Sequence, residues 1–192
     1  MSSDPDFYSA PTRPAPVVTP AGASMILVPV LVGSAVAVGL GVFGRVHEPQ
    51  FFSISLAGFS SGTAVKSWLA TLAVFQLVSA FVMYRLTPSG RAPRWIGPAH
   101  VWSGRVAVLA SVPVAVHCLY ALGFQGGDSR VLFHSLFGCF FYGVFVAKMM
   151  LLTRKGLKPW VIPVMGGLLF FVLVYVWLTS ALWFFDTTGL TF

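Results

Sequence analysis

The chain has 192 residues, of which 57% are apolar and 9% are charged, and its mean hydropathy is +0.85. This composition excludes an ordinary water-soluble domain and indicates a single membrane domain. The formal net charge of +7 would suit a nucleic-acid-binding protein. The positive residues flank apolar segments instead of forming one basic patch, however, so we expect no nucleic-acid partner.

Five stretches are long and apolar enough to be transmembrane helices, each of which needs about 20 residues. None of them alternates polar and apolar residues as a barrel strand does, so helices are the predicted spanning elements. The predicted fold class is therefore all-α, a polytopic membrane protein of five transmembrane helices. These predicted helices are Met25–Phe43, Ser67–Leu86, Pro98–Leu122, Val131–Leu152 and Pro159–Phe184.

The sequence divides into three predicted regions. Residues 1–22 are rich in Pro and Ser and cannot bury enough apolar surface to fold alone, so we expect a cytoplasmic tail. Residues 23–186 form the five-helix domain, and residues 187–192 form a short outer tail. The first apolar stretch is too long for a signal peptide and is predicted to be a retained anchor. The segment Gln50–Phe59 is apolar enough to lie in the outer membrane interface.

The basic residues predict the orientation in the membrane. They concentrate around the second and fourth connections, which by the positive-inside rule face the cytoplasm together with the N-terminus. The C-terminus then lies outside. We therefore expect a multi-pass protein of the cytoplasmic membrane whose excess charge faces anionic lipid. The basic residues of the inner side are Arg85, Arg91, Arg94, Arg105, Lys148, Arg154, Lys155 and Lys158, against Arg45, Lys66 and Arg130 on the outer side.

The cysteines and the glycine row indicate helix packing more than cofactor binding. Cys118 and Cys139 fall in predicted helices, where a small buried side chain is the favoured interpretation. The sequence contains no Cys-x-x-Cys-His motif, so we do not expect covalent haem attachment. Gly33, Ala37 and Gly41 form a row of small residues on the first helix. Such a row lets another helix or a flat ligand approach closely, and we favour helix packing.

His100, His117 and His134 lie inside predicted spans, where an ionisable side chain indicates a functional site. Neutral imidazole is a common axial ligand of haem iron. His100 and His117 belong to one helix and are about 25 Å apart along its axis, so they cannot bind the same metal. His117 and His134 come to a similar depth on the outer side, because the chain reverses direction between their helices.

The predicted site is one non-covalent haem b in the outer half of the membrane, bound by His117 and His134. Gly138 lies one turn from His134 and would clear space for the porphyrin, and Arg130 would pair with its propionates. Directly packed helices are only about 8–10 Å apart, so the third and fourth helices must lie diagonally across a bundle. A tight hairpin would instead favour His47 as the partner of His117.

On the inner side, His100 has no histidine at its own depth. Gly104 lies one turn from it on the same face and would also leave room for a ring. We expect His100, Trp102 and Arg105 to form a polar cluster that contacts a quinone headgroup, a haem propionate or a lipid phosphate. A structural role or a proton relay remains open for each histidine. The less favoured haem ligands near the inner face are Met83, Met149 and Met150.

The stretch HVWSGRVAVLASVPVAVH, residues 100–117, resembles helices of transmembrane b-type cytochromes, including ferric-reductase-like and ascorbate-type members. In these helices a histidine opens an H-x-x-x-G-R-like start and a second histidine lies at the far end. The resemblance covers the third and fourth helices. It implies a four-helix haem-binding core with one extra helix, and His117 and His134 as the iron ligands. The chain has too few intramembrane histidines for two bis-histidine haems, and a self-sufficient reductase is not expected.

The predicted function is electron transfer within a respiratory or quinol-linked complex, between a membrane quinone and a redox partner at the outer face. The connections are short, so we expect no catalytic residues here and assign any further reaction to partner subunits. The alternative is a haem-free accessory subunit that anchors a larger complex through its tail and its glycine row. A transporter fits less well, because no pair of interrupted helices stands out.

Overall fold

The computed structural model describes residues 22–48, 62–84 and 92–182, together with Asp186; for residues 23, 62–71 and 181 it describes the backbone alone. The predicted tail up to residue 21, the interfacial segment Gln50–Phe59 and the outer tail 187–192 lie outside the described residues. These three predictions therefore stay predictions.

Every regular element in the described ranges is a helix, as the sequence predicts. Two of the helices continue into π-helical turns at their C-terminal ends, which we call the first π segment (His117–Leu122) and the second π segment (Leu178–Leu182). The α-helices are α1 (Ala23–Val46), α2 (Gly62–Met83), α3 (Ile96–Val116), α4 (Ser129–Leu152) and α5 (Val161–Trp177).

Four helices of the described residues are long and apolar enough to cross a membrane: α1, α4, α3 taken with the first π segment, and α5 taken with part of the second π segment. In α2 the apolar stretch with described side chains is shorter, Leu72–Met83. Large apolar side chains point away from the bundle, and Leu31, Val38 and Leu109 are 58%, 64% and 71% exposed. Water would penalise so much exposed apolar surface, whereas lipid would not. The fold is compatible with that of a helical membrane protein.

The helix boundaries follow local chemistry. The carboxylate of Asp128 accepts a hydrogen bond from the backbone N–H of Arg130 (3.3 Å), so Asp128 caps α4. α3 begins at Ile96, two residues before the predicted start, because Pro98 is compatible with the first turn of a helix. The first π segment ends at Leu122 and is followed by Gly123, whose φ of 71° favours glycine.

The helices form a ring in the order α1, α4, α5, α2 and α3, and the first π segment packs against α1 to close it. α3 and α4 therefore face each other across the ring, which is the arrangement that the predicted haem requires. Their side chains meet at one hydroxyl pair, Ser111 Oγ and Tyr142 OH, 2.8 Å apart. The hydroxyl of Ser111 donates to the carbonyl of Val108 (2.7 Å), so Tyr142 is the donor to Ser111.

The most extensive helix contact joins α1 to α4. Gly33 lies against the backbone carbonyl of Gly143, and Gly143 lies against the carbonyl of Gly33. Ala37 and Ala147 are the nearest side chains at this crossing. A Cβ atom on either glycine would overlap the opposite backbone, so the two helices can approach this closely only through residues without side chains. The packing interpretation of the glycine row is confirmed for Gly33 and Ala37.

Candidate functional site

One end of the bundle gathers the C-terminal ends of α1, α3 and α5 with the N-terminal end of α4. The backbone N–H of Phe124, just after the first π segment, donates to the carbonyl of Gly44 in α1 (2.6 Å). The guanidinium of Arg130 in α4 donates to the carbonyl of Thr179 in the second π segment (2.8 Å). The sequence predicts that this end faces outward, and we call it the outer end.

A cavity of about 680 Å³ lies inside the ring, between its middle and the outer end. All five helices contribute to its wall, including Leu40, Ala73, Val114, Gly138 and Trp177. Its lining is mainly apolar, and its volume is typical of a pocket for a small molecule or cofactor. Polar lining side chains are few, so each of them has a strong effect on what the cavity can bind.

His134 is the one histidine among the described residues of the cavity wall. Its Nδ1 lies 3.0 Å from the hydroxyl of Thr179. That hydroxyl donates to the carbonyl of Tyr175 (2.9 Å) or Val176 (3.2 Å). Because it has a single hydrogen, we infer that Nδ1–H of His134 is the donor to Thr179. The lone pair of the imidazole is then on Nε2, which is the tautomer that metal-binding histidines use.

Two other residues of the wall bear on a flat ligand beside His134. Gly138 lies one turn along α4, and a Cβ atom there would meet no atom within 4 Å. The predicted clearance is therefore present in the fold. Trp177 also lines the cavity, and its indole N–H is buried with no acceptor in the described part of the chain. A buried donor without an acceptor is costly, so this indole suits a ligand that carries oxygen atoms.

His117 is the first residue of the first π segment, where its backbone N–H bonds to the carbonyls of Pro113 and Val114. Its Nδ1 is buried. It is not among the residues that line the cavity, although the next residue, Cys118, is. The structure thus places His134 on the cavity wall. His117, its predicted partner as a haem ligand, is adjacent in sequence to the lining residue Cys118 but does not itself line the cavity.

His47, the alternative ligand, lies at the end of α1. Its ring stacks on Phe43 with 5.0 Å between centroids and contacts Tyr120 of the first π segment at 4.2 Å. Its Nε2 is buried, with no hydrogen-bond partner among the described residues. His47 is also absent from the described cavity wall. The contact with Tyr120 places it beside the π segment that begins at His117.

Arg130, the predicted propionate partner, lies at the outer end between α4 and α5. Besides its bond to Thr179, its Nε is 3.7 Å from the carboxylate of Asp128. Arg130 and His134 are thus held by the same residue, one through the carbonyl of Thr179 and the other through its hydroxyl. Thr179 therefore positions Arg130 and His134, two of the three predicted site residues of α4.

His100 lies near the opposite end, and its neighbours differ from the predicted ones. Its Nδ1 is 2.7 Å from the hydroxyl of Ser79, and its carbonyl accepts from the amide of Gln76 (2.6 Å). The same amide donates to the hydroxyl of Ser103 (2.6 Å). The polar cluster of His100 therefore joins α3 to α2, whereas the sequence predicts a cluster with Trp102 and Arg105.

Trp102 and Arg105 form a separate pair on an exposed face of α3, with the guanidinium 4.9 Å from the centre of the indole. This cation–π contact pairs the two side chains at the surface of the bundle. The prediction for Gly104 also needs correction. A Cβ atom there would lie 3.3 Å from the side-chain oxygen of Gln76, so the gap beside His100 accommodates this amide and leaves no room for a ring.

Sequence reasoning missed three residues that the structure places at these sites. Thr179, Ser79 and Gln76 hold histidines from neighbouring helices. A hydroxyl or amide in an apolar helix is a visible signal, because it must find a partner in the membrane. Which partner it finds depends on helix order, which hydropathy does not reveal.

A model of a protein family matches residues 25–192, and the chain belongs to this family, which is described as a family of unknown function (DUF6529). No curated protein and no solved structure matches the chain. The functional conclusion therefore depends on the residues and their geometry.

Proposed function

We propose that this member of the DUF6529 family is a haem b-containing electron-transfer subunit of a respiratory or quinol-linked membrane complex. It would move electrons between a membrane quinone and a redox partner at the outer face. The observation that carries the proposal is His134, an imidazole held by Thr179 on the wall of an apolar cavity of cofactor size.

The residues of the cavity fit a haem in three respects. The volume of about 680 Å³ is within the range for cofactors, and the lining is apolar, as a macrocycle requires. The Nδ1–H bond to Thr179 orients the imidazole and makes Nε2 the basic nitrogen. Gly138 leaves open space beside it, where any larger side chain would occupy the cavity.

A bound haem would supply one-electron transfer between ferric and ferrous iron. The protein's part is to bind and insulate. His134 would ligate the iron, and the apolar wall would keep water away and so influence the reduction potential. Arg130, already at the outer end, would offer positive charge to the propionates. Trp177 would donate its indole N–H to an oxygen of the ligand.

His117 is proposed as the second residue that would bind the haem iron, with His47 as the alternative. His117 precedes the lining residue Cys118, and both belong to the first π segment. Such π-helical turns occur frequently at functional sites, where they change the direction in which side chains project. His47 contacts Tyr120 of the same segment, so both candidates adjoin one local irregularity of α3.

A reduced-minus-oxidised visible spectrum of the purified protein tests the proposal. We expect sharp reduced bands of haem b in the wild type and their loss in His134→Ala. His100→Ala is the matched control, because it removes an intramembrane histidine at the opposite end and should leave the bands in place. His117→Ala and His47→Ala then identify the second ligand by which of them abolishes or shifts the bands.

A wild-type protein without haem bands after expression with added haem precursor would refute the proposal. Bands that persist unchanged in His134→Ala would refute the ligand assignment. The alternative of a haem-free accessory subunit predicts no bands at all. That alternative also loses part of one support, because α4 buries Gly33 of the glycine row and so removes it from any surface for a partner subunit.

A further inference from the structure

The face of α3 that points away from the bundle carries an exposed arginine. Four exposed side chains at intervals of seven residues, which is close to two helical turns, form a stripe along this face. They are Trp95, Trp102, Leu109 and Val116. Arg105 lies beside the stripe, three residues after Trp102, and is exposed as well. Apolar side chains exposed in this way face lipid when the helix spans a membrane.

Arg105 lies deep along the helix. It is nine residues after Ile96, the first residue of α3, which is about 14 Å along the axis. The hydrocarbon core is about 30 Å thick, so a helix that starts at the interface places this Cα atom near the middle of the core. Helical side chains lean toward the N-terminus, and the guanidinium lies 4.9 Å from the ring centre of Trp102. The charge is therefore turned toward the headgroups at the start of α3.

No hydrogen bond or ion pair joins Arg105 to the described residues, where its side-chain contact is the ring of Trp102. The polar side chains on the other face of α3 differ, because His100 and Ser103 have hydrogen-bond partners on α2. A guanidinium that lies over a ring keeps its N–H groups along its edge. These donors of Arg105 are therefore available to an anion.

The anion must come from outside the described part of the chain. Carboxylates in the described ranges belong to the outer end, and Arg105 is about 25 Å from the end of the first π segment along the helix axis. They are Glu48, Asp128 and Asp186. Arg105 is also absent from the described wall of the cavity, so a haem propionate is not its partner. A cation in an apolar environment is costly unless an anion compensates it.

We propose that Arg105 and Trp102 bind the phosphate of an anionic phospholipid from the leaflet at the start of α3. The planar guanidinium can donate two parallel N–H bonds to phosphate oxygens, and the indole holds it in place. A zwitterionic lipid is less favoured, because its own ammonium group competes for the phosphate. A lipid also supplies acyl chains for the apolar stripe, whereas the carboxylate of a protein partner supplies the anion alone.

Native mass spectrometry of the purified full chain, titrated with dioleoylphosphatidylglycerol in detergent micelles, tests the proposal. We expect Arg105→Gln to weaken the binding of the first lipid at least tenfold. Arg94→Gln is the matched control, because Arg94 is an exposed arginine just before α3. Its affinity should stay within twofold of the wild type. Dioleoylphosphatidylcholine should bind to the wild type and to both variants alike.

Two further variants test the chemistry of the site. Trp102→Leu keeps an apolar side chain but removes the ring, so the affinity for phosphatidylglycerol should fall about two- to fivefold. Arg105→Lys keeps the charge but loses the paired donors, so its affinity should lie between those of Arg105→Gln and the wild type. Circular dichroism of each variant checks that the helices are intact.

Wild-type affinity in Arg105→Gln would refute the inference. Equal losses in Arg105→Gln and Arg94→Gln would do the same, because they indicate a general attraction of lipid to a basic protein. The rival anions are Asp4 and Asp6, in the tail outside the described residues. If Asp4→Asn/Asp6→Asn bound phosphatidylglycerol more tightly, and adding Arg105→Gln abolished the gain, these carboxylates would be the partners of Arg105 and the inference would be wrong. The haem spectrum does not enter these outcomes, so the lipid site and the proposed function can fail separately.

Discussion

The contact between α1 and α4 makes a sharp prediction for Gly33→Ala. In a helix, alanine is favoured over glycine by about 1 kcal/mol. At Gly33 this gain is opposed, because the new Cβ atom would overlap the carbonyl oxygen of Gly143 and lie 2.9 Å from the Cβ atom of Ala147. The obstacle is backbone, which cannot rotate away as a side chain would. Relief therefore requires the two helices to separate.

Overpacking of this kind costs about 1–3 kcal/mol, and a rigid obstacle favours the upper part of that range. Subtracting the gain in helix propensity leaves a net loss of about 1–2 kcal/mol for Gly33→Ala. Gly39 is the matched control on the same helix, because a Cβ atom there would meet no atom within 4 Å. Gly39→Ala should keep the full gain, so the two variants should differ by about 2–3 kcal/mol.

Equilibrium unfolding by sodium dodecyl sulfate in mixed micelles, followed by circular dichroism, measures this difference. We expect the midpoint of Gly33→Ala to fall below that of the wild type and the midpoint of Gly39→Ala to equal or exceed it. If Gly33→Ala were as stable as Gly39→Ala, the close approach of α1 and α4 would be wrong.

Three further predictions concern single hydrogen bonds. Thr179→Val keeps the size of the side chain but removes the acceptor of His134, and haem affinity should fall about 10–100-fold in a haem titration. Tyr142→Phe removes the donor to Ser111, and the micelle unfolding assay should show a loss of about 1 kcal/mol. Asp128→Ala removes the cap of α4, and the same assay should again show a loss of about 1 kcal/mol.

Each of these three has its own control and its own refutation. Ser180→Ala is the control for Thr179→Val, because it removes a neighbouring hydroxyl that bonds only to a backbone carbonyl. If the two variants bound haem with equal affinity, the proposed role of Thr179 in orienting His134 would be wrong. Tyr175→Phe is the control for Tyr142→Phe, because it removes a phenol hydroxyl from α5. The prediction for Tyr142 fails if the two variants unfold at the same midpoint. A stability of Asp128→Ala equal to that of Asp128→Ser, which keeps a capping oxygen, would contradict the cap.

Hydropathy was sufficient to predict the helices, because the cost of unpaired backbone in an apolar environment leaves few other structures. It failed at the ends, where specific contacts decide. The prediction ended the first helix at Phe43, one residue before Gly44, yet α1 continues to Val46. Gly44 is buried there and accepts the hydrogen bond of Phe124 from the neighbouring chain segment.

The sites were predictable only in part for a related reason. Depth along a helix follows from counting residues, so the placement of His134 at the outer end could be predicted, whereas the direction in which a side chain projects could not. The first π segment changes the helical register from His117 onward, and Pro113 was the sole sequence signal of an irregularity there. Hydroxyl partners such as Thr179 belong to other helices, and single-helix patterns do not report them.

The crossing of α1 on α4 also constrains how the protein is made. During synthesis α1 precedes α4, so its principal partner emerges only after α2 and α3 have been made. Until then the surface of α1 around Gly33 lacks its α4 partner, and a nascent chain that stops before α4 carries α1 without the helix it packs against most extensively. The α1–α4 contact can therefore form only once α4 has been synthesised, late in the production of this helical bundle.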